Sequence, residues 1–168
     1  QIRHQVLESS PGMEVIELTC PADHETCVDH EITLPTSSVD PQRLFNGQNF
    51  IRHEFAKAEW KPWRMEGFEA RDIGIASATD GLAGVRVARP VGQPHPEFVS
   101  HDADLLFMFL LNGSAELNCY KMDPELLTAG DSFVIPGALK YSFSKCSEDM
   151  DMLEVALPAV FNTAHHLK

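Results

Sequence analysis

A histidine flanked by acidic residues is the feature of this sequence best suited to metal chemistry. His101 lies in the run Val99-Ser100-His101-Asp102, and His95 and Asp104 are close to it along the chain. One carboxylate with one or two imidazoles can hold zinc or a related divalent ion. Alternatively, His101 and its acidic neighbours form the solvated beginning of a strand, since such groupings are common on protein surfaces. The residues alone leave both interpretations open.

The sequence lacks the other common catalytic spacings. Its cysteines, Cys20, Cys27, Cys119 and Cys146, form no C-x-x-C pair and no zinc-binding spacing with histidine. Four cysteines in a chain of this length do not make a disulfide scaffold, so we expect a reducing, cytoplasmic compartment. His53-Glu54 lacks the second histidine, four residues on, of the zinc peptidase motif.

The composition excludes several classes of function. The 168 residues carry 13 Lys and Arg against 25 Asp and Glu, a formal net charge of −12, and 43% of them are hydrophobic. Such an acidic chain repels phosphate backbones and anionic lipid headgroups, so we expect no nucleic-acid partner and no membrane partner. The longest apolar run, residues 105–111, is far shorter than the roughly 20 residues that cross a bilayer. We expect one folded domain with some additional chain.

Short strands separated by turns account for most of the sequence. Alternating, β-branched or aromatic residues predict strands at 13–18, 84–88, 105–111, 115–120, 132–135 and 150–157. Regularly spaced short strands with glycine, asparagine and proline between them are typical of an antiparallel sandwich or barrel. The pattern therefore predicts an all-β fold.

Three local signals add detail to this prediction. Asn112-Gly113 predicts a hairpin between the strands on either side of it. Ala129-Gly130-Asp131 predicts a second hairpin, between residues 126–128 and 132–135. Asp40 to Phe45 is the best candidate for a helix, because Asp40-Pro41 offers an N-cap and a first-turn proline.

An internal repeat changes the interpretation of the first thirty residues. At an offset of 137, residues 2–28 align without a gap over residues 139–165 and share their apolar pattern. We therefore expect residues 1–30 to be the closing strands of a truncated earlier copy of the domain. Residues 31–65 would be a linker with extra strands, and residues 66–168 would be the complete domain.

Two segments resemble motifs of the cupin superfamily. Gly130-Asp-Ser-Phe-Val-Ile-Pro136-Gly137-Ala-Leu-Lys-Tyr141 resembles the second cupin motif, in which a glycine, five residues and a proline normally precede a histidine. Residues 105–113 resemble the end of the first motif, an apolar strand that ends in glycine, and residues 68–81 resemble the first strands of a bacterial single-domain cupin group. The resemblance covers about residues 66–160. It implies an antiparallel jelly-roll barrel, here the C-terminal part of a bicupin.

The resemblance also implies a set of metal ligands, most of which this half of the protein lacks. Metal-dependent cupins use a His-x-His pair, a Glu or Gln on the next strand and the histidine of the second motif. Leu106 stands at the position of the acid and Tyr141 at that of the second-motif histidine, so His101 is the one imidazole that remains. We therefore expect a degenerate metal site without a cofactor. The alternative is Fe, Mn, Ni or Zn held by His101 with His95 or Asp102.

The earlier copy is the better candidate for a working metal site. In the repeat, Tyr141 aligns with His4, which would be the second-motif histidine of the truncated copy.

The barrel interior and its outer face each suggest a role. His101, Leu106, Met108 and Tyr141 would line a ligand pocket for a small molecule, although Tyr141 could equally place its hydroxyl at the rim. Phe107 and Phe109 have the opposite parity to Leu106 and Met108, so both faces of this strand are apolar and we expect a homodimer. We expect small-molecule binding, or a structural and dimerising role in a bicupin. The alternative is a metal-dependent dioxygenase, isomerase or lyase that uses His101.

Overall fold

Thirteen short strands build the fold in the residues that the computed structural model describes, which are 3–31, 33, 35–38, 40–94 and 97–166. In chain order they are β1 (Leu44–Phe45), β2 (Gln48–Asn49), β3 (Lys61–Pro62), β4 (Phe68–Asp72), β5 (Gly84–Pro90), β6 (Phe98–His101), β7 (Leu105–Asn112), β8 (Ser114–Cys119), β9 (Glu125–Thr128), β10 (Ser132–Val134), β11 (Tyr141–Ser144), β12 (Asp151–Leu157) and β13 (Thr163–His166).

The strands form two large antiparallel sheets and one small hairpin. One sheet has the order β10-β7-β12-β5-β4-β3, the other has the order β13-β6-β11-β8-β9, and β1 pairs with β2. Helix is confined in this part of the chain to α1 (Ile75–Ala78) and a 3-10 turn at Phe55–Lys57. Neither is a long apolar helix of the kind that crosses a membrane. The arrangement confirms the predicted all-β, antiparallel jelly-roll fold.

Alternating side chains of the two sheets fill the space between them. Leu106, Met108 and Leu110 on β7 face inward and have no exposed surface, as the alternation along this strand predicts. They share one apolar core with Tyr141 and Phe143 of the opposite sheet. The barrel is therefore packed along most of its length.

Both predicted hairpins are wrong, because the two turns are corners at which the chain passes from one sheet to the other. β7 pairs with β10 and β12, whereas β8 pairs with β9 and β11. Residues 105–134 therefore form one long hairpin, β7 and β8 against β9 and β10, that bends across the barrel. At the bend the Ala129 N–H donates to the Gly113 carbonyl at 3.1 Å, and the Gly130 N–H donates to the Leu110 carbonyl at 2.8 Å.

The predicted helix from Asp40 to Phe45 is also wrong. The Asp40 carboxylate accepts a hydrogen bond from the Gln42 N–H at 3.0 Å, which closes a turn instead of beginning a helix. Asn46 and Gly47 then have φ values of 52° and 81°, as a type I′ turn requires, and they join β1 to β2. The Asn-Gly hairpin of this chain thus lies here and not at residues 112–113.

The predicted strand at residues 13–18 does not form. Residues 3–31 contain neither helix nor strand, and each of them is exposed. A strand is stable only when its backbone N–H and C=O groups pair with a neighbour, and no strand of the described chain pairs with this segment. The assignment of residues 1–30 to an earlier copy of the domain stays a prediction.

Candidate functional site

A buried carboxylate faces the interior of the barrel from the middle of β12. Glu154 has no exposed surface and lies on the same face of its strand as Met152 and Ala156, both of which belong to the apolar core. Its neighbours across the sheet are Met108 on β7 and Arg86 on β5. Because paired residues share a face of the sheet, Arg86 also faces inward.

An arginine from the loop between β3 and β4 meets this carboxylate. The Arg64 Nη1 donates to Glu154 Oε2, and its Nη2 donates to the Tyr141 hydroxyl at 2.8 Å. The guanidinium carbon lies 4.0 Å from the ring centroid of Trp63 and 5.4 Å from that of Phe161. The side chain of Arg64 is only 14% exposed. Arg64 is thus fixed by a carboxylate, a phenol and two aromatic rings.

The charges of this cluster follow from its surroundings. Burial disfavours the charged form of Arg64, but the Glu154 carboxylate and the Tyr141 hydroxyl favour it, and the net effect raises the pKa of Arg64 above its ordinary value. Burial raises the pKa of Tyr141 against the opposing influence of Arg64. Tyr141 therefore keeps its proton and can donate it while it accepts from Arg64.

His101 lies next to this cluster on the opposite sheet. It is 5% exposed, and its Nε2 lies 3.0 Å from the Ile135 carbonyl oxygen, the distance of an N–H donating to an acceptor. Its ring is in edge contact with those of Tyr141 and Phe161, at centroid distances of 6.4 and 5.9 Å. Burial lowers the pKa of His101, and the charge of Arg64 lowers it further, although the Ile135 carbonyl and the nearby carboxylates act in the other direction. Because a carbonyl oxygen can only accept, Nε2 carries a proton, and burial favours the neutral form of the ring.

A cavity of about 660 Å³ opens beside the cluster at the mouth of the barrel. Its walls include the rings of Trp63 and Phe161 and the guanidinium groups of Arg64 and Arg86. The remaining lining residues come from the segment before β4, from β4 itself and from the chain around β13: His53, Lys57, Glu59, Lys61, Pro62, Ala70, Asp72, Ala159, Val160 and Thr163. The cavity is therefore mixed in character, with aromatic walls and several hydrogen-bonding groups.

Several buried polar atoms in and around this cluster lack a hydrogen-bond partner. Among the described residues, Trp63 Nε1, Arg64 Nε, His101 Nδ1 and Glu154 Oε1 are buried and form no hydrogen bond. Buried polar atoms are normally hydrogen bonded, and a group of unpaired ones indicates a place that water or a ligand satisfies.

The residues predicted for the ligand pocket all lie inside the barrel, behind the cavity. His101, Leu106, Met108 and Tyr141 are buried, and none of them is part of the cavity wall. The Tyr141 hydroxyl is not at the rim, because the side chain is fully buried and bonded to Arg64. Two of them support the cavity wall, because Tyr141 accepts a hydrogen bond from Arg64 and the ring of His101 contacts that of Phe161.

Of the residues predicted for metal binding, the structure describes His101, Asp102 and His4, and it gives each of them different surroundings. The Asp102 carboxylate accepts two hydrogen bonds from Asn162, one from its backbone N–H and one from Nδ2, both at 2.7 Å. These bonds lower the pKa of Asp102. His4 is exposed in the segment without helix or strand, and His95 lies outside the described residues.

The donor set at the barrel mouth does not suit a divalent metal ion. In the part of the chain that the structure describes, no three His, Cys, Asp or Glu side chains are grouped as a metal would require. Glu154, the carboxylate nearest the core, faces the guanidinium groups of Arg64 and Arg86, whose positive charge opposes a cation. The residues present suit organic hydrogen-bonding groups better than a metal.

The main polar residues of the site were not predicted from the sequence. Glu154 could have been recognised from the sequence of its strand, DMLEVAL. It is a charged residue at an inward position, between the apolar inward residues Met152 and Ala156. No local pattern identifies Arg64 or Arg86. Arg64 lies in a loop, and Arg86 lies in a strand with polar and apolar residues on the same face.

Comparison with known proteins identifies the fold. No protein-family model and no curated protein matches the chain. Among solved structures, the Streptomyces nucleoside dehydratase Pac13, in a variant solved with uridine, is 16% identical with a TM-score of 0.55, and the alignment covers 70% of this chain and 91% of that one.

Two further structures have the same fold. The polyketide cyclase RemF from Streptomyces resistomycificus is 14% identical with a TM-score of 0.54 and covers 71% of this chain and 87% of that one. Salicylate 1,2-dioxygenase from Pseudoaminobacter salicylatoxidans, solved with gentisate, is 12% identical with a TM-score of 0.52. The alignment covers 64% of this chain and 31% of that one. These neighbours are cupin-fold proteins, and the chain shares that fold.

Proposed function

We propose that the mouth of this barrel binds a small polar organic molecule and does so without a resident metal ion. The observation that carries the proposal is an open cavity whose wall includes Trp63 and Arg64, because Trp63 Nε1 and Arg64 Nε are buried without a hydrogen-bond partner. A ligand whose polar groups face Arg64 and Trp63 would supply the missing partners, directly or through water.

The size and walls of the cavity support this proposal. A volume of about 660 Å³ lies within the range of roughly 300 to 1,000 Å³ that is usual for small-molecule sites. Trp63 and Phe161 provide apolar surface, while Arg86 and Asp72 provide hydrogen-bonding groups. The uridine bound by Pac13 is a small polar molecule of the kind that a barrel of this fold can hold.

A fragment screen monitored by ¹H–¹⁵N NMR spectra tests the proposal. Small polar molecules that bind should shift the amide signals of cavity residues such as Ala70, Arg86 and Thr163. Ala70→Phe fills the cavity and should abolish these shifts, whereas Ala164→Phe, at an exposed position of β13, should leave them unchanged. Thr163→Trp serves as a second blocking variant if Ala70→Phe does not fold. Binding that persists in both blocking variants would contradict the proposal.

We also propose that the domain is half of a bicupin, with residues 1–30 as the end of the preceding copy. The exposed apolar side chains of this segment support the proposal, because Val6, Leu7, Val15 and Val28 are each more than 70% exposed. Mass spectrometry of the protein isolated from its own cells should then give a mass well above the 18.7 kDa of this chain. A native mass of 18.7 kDa would contradict the proposal.

Self-association through the outer face of β7 is a related proposal. Phe107 and Phe109 are only half-buried on this face, next to Leu153 on β12 and Val134 on β10. A second copy would cover these side chains. Light scattering should then give a dimer that Phe109→Glu dissociates, and a monomeric wild-type protein would contradict the proposal.

A further inference from the structure

The geometry of the cavity points to Arg86 as the residue that holds a carboxylate group of the bound ligand. This inference rests on the proposed function, because it names the chemical class of the molecule that the cavity binds. It follows from three features of Arg86: its free donors, the space around it and the charges that face it.

The guanidinium of Arg86 has free hydrogen-bond donors, whereas the terminal nitrogens of Arg64 already donate to other residues. The two terminal nitrogens of Arg64 donate to Glu154 and Tyr141. The guanidinium of Arg86 forms no hydrogen bond with the described residues, although its Nη1 lies 3.6 Å from Glu154 Oε1 and its Nε 3.6 Å from Asp72 Oδ2. These distances are those of ion pairs too long for hydrogen bonds. The five N–H groups of Arg86 are therefore available.

Short residues lie beside Arg86 on the inward face of the sheet, and one of them, Ala70, lines the cavity with it. Gly84 and Ala88 are its neighbours on the inward face of β5, and Ala70 on β4 is paired with Ala88. Ala156 of β12 is paired with Gly84 on the same inward face. Along its own strand Arg86 is thus a long side chain between two very short ones, while Glu154 and Asp72 are its partners across the sheet. Its side chain is 28% exposed and forms part of the cavity wall, so a ligand can reach it without displacing the core.

The local charges favour one negative charge on the ligand over two. Arg64 and Arg86 face the carboxylates of Glu154 and Asp72, so the inner end of the cavity is close to neutral. Lys57 and Lys61 lie at the outer part and pair with Glu54 and Glu59 only at the surface, where ion pairs contribute little. A single carboxylate can use the planar fork of Arg86 through two parallel hydrogen bonds. A phosphate would bring a second charge beside Glu154 and Asp72.

Three test compounds that share one ring separate these chemistries. Benzoate carries the carboxylate, benzamide has the same shape without the charge, and phenyl phosphate carries a larger charge. Each is titrated into ¹⁵N-labelled protein, with the Arg86 Nε–H signal and the cavity amides as readout. Benzoate should bind most tightly and move the Arg86 Nε–H signal.

A matched pair of variants on the same strand assigns the effect to Arg86. Arg86→Gln should raise the dissociation constant of benzoate about tenfold or more, as expected for the loss of charge-assisted hydrogen bonds. Arg89→Gln removes the same charge from the outer face, where Arg89 pairs with Glu69, and should change the constant less than about twofold. Arg86→Lys keeps the charge but not the fork, and it replaces Arg86→Gln if that variant does not fold.

Each remaining outcome overturns the inference in a distinguishable way. If benzamide or phenyl phosphate binds as tightly as benzoate, or if both Arg86 variants bind benzoate like the wild type, Arg86 does not hold a carboxylate and the cavity remains a binding site. If none of the three compounds moves a cavity signal while other fragments do, the ligand class is wrong. If no fragment of any kind shifts the cavity signals, the proposed function fails and the inference fails with it.

Discussion

Glu154 on β12 and Arg64 in the loop before β4 form an ion pair inside the barrel, although ninety residues separate them in the sequence. The carboxylate is fully buried, and Tyr141 and the ring of Trp63 complete the surroundings of the guanidinium. This pair connects the six-stranded sheet, the five-stranded sheet and the loop that forms the cavity wall. Its integrity therefore bears on both stability and binding.

Removing one partner of this pair should destabilise the protein strongly. Glu154→Gln leaves Arg64 charged and buried without a counter-ion, so we expect a loss of about 3 to 5 kcal/mol in the free energy of unfolding. The double variant Arg64→Met/Glu154→Leu should be more stable than either single variant, because it removes both charges together. Urea denaturation measures these differences. Glu59→Gln, at an exposed pair with Lys61, is the control and should stay close to the wild type. A Glu154→Gln variant as stable as that control would show that the pair contributes nothing.

The buried neutral state of His101 should make stability depend on pH. Its pKa in the folded protein is lowered, chiefly by burial, so below the unfolded-state value of about 6.5 the unfolded chain binds the proton more readily than the folded one. The free energy of unfolding should therefore fall as the pH decreases from 7.5 to 5.5. Denaturation at both pH values should show that the free energy of unfolding falls less in His101→Gln than in the wild type. The control His30→Gln, at an exposed position, should show the same fall as the wild type. Equal falls in the wild type and His101→Gln would refute the neutral assignment.

The bend between β7 and β8 should tolerate no side chain at Gly113. Its φ is +73°, and a Cβ there would lie 2.8 Å from the backbone of Met150 and closer still to Ser147 Oγ. At the facing corner Gly130 has φ +98°, and nothing lies within 4 Å of a Cβ. Gly130→Ala should therefore cost about 1 to 2 kcal/mol for the backbone conformation alone, and Gly113→Ala clearly more. Thermal and urea unfolding compare the two, and equal losses would mean that the close contact at Gly113 relaxes freely.

The four cysteines should differ in their reaction with iodoacetamide. Burial raises the pKa of Cys146 to about 11, so only about one thiol in a thousand is ionised at pH 8. Cys119 is half-buried and its pKa is also raised, whereas Cys20 and Cys27 are exposed. Peptide mass spectrometry should find Cys20 and Cys27 labelled first and Cys146 only after unfolding. Labelling of Cys146 in the folded protein at the rate of Cys20 would contradict its placement in the core.

The sequence predicts those parts of the fold that depend on local alternation. The inward positions of Leu106 and Met108 follow from the period of two in a strand, and that period does not depend on which strand lies next to it. Strand pairing across the barrel is not local, and for that reason Asn112-Gly113 was interpreted as a hairpin although it turns a sheet-to-sheet corner. A hairpin turn and a sheet-to-sheet corner use the same residues, because both require a backbone conformation that glycine adopts easily.

The candidate site was only partly accessible to sequence analysis for the same reason. The motifs predict a pocket position for His101 and Tyr141, but the sequence also allows a solvated His101 and a Tyr141 hydroxyl at the rim. The pairing of Arg64 with Glu154 depends on a loop that folds back over the barrel mouth, and no local pattern records that path. A charged residue at an inward position of an apolar strand, as at Glu154, is the signal that could have led to the pair, because a buried carboxylate requires a partner.

A crystal structure of the protein grown with benzoate tests the central claim most directly. The proposals predict benzoate in the cavity at the barrel mouth, with its ring near Trp63 or Phe161 and its two carboxylate oxygens about 2.7 to 3.0 Å from the guanidinium nitrogens of Arg86. A structure in which benzoate lies outside the cavity, or lies within it with its carboxylate directed to solvent and away from Arg86, would contradict them.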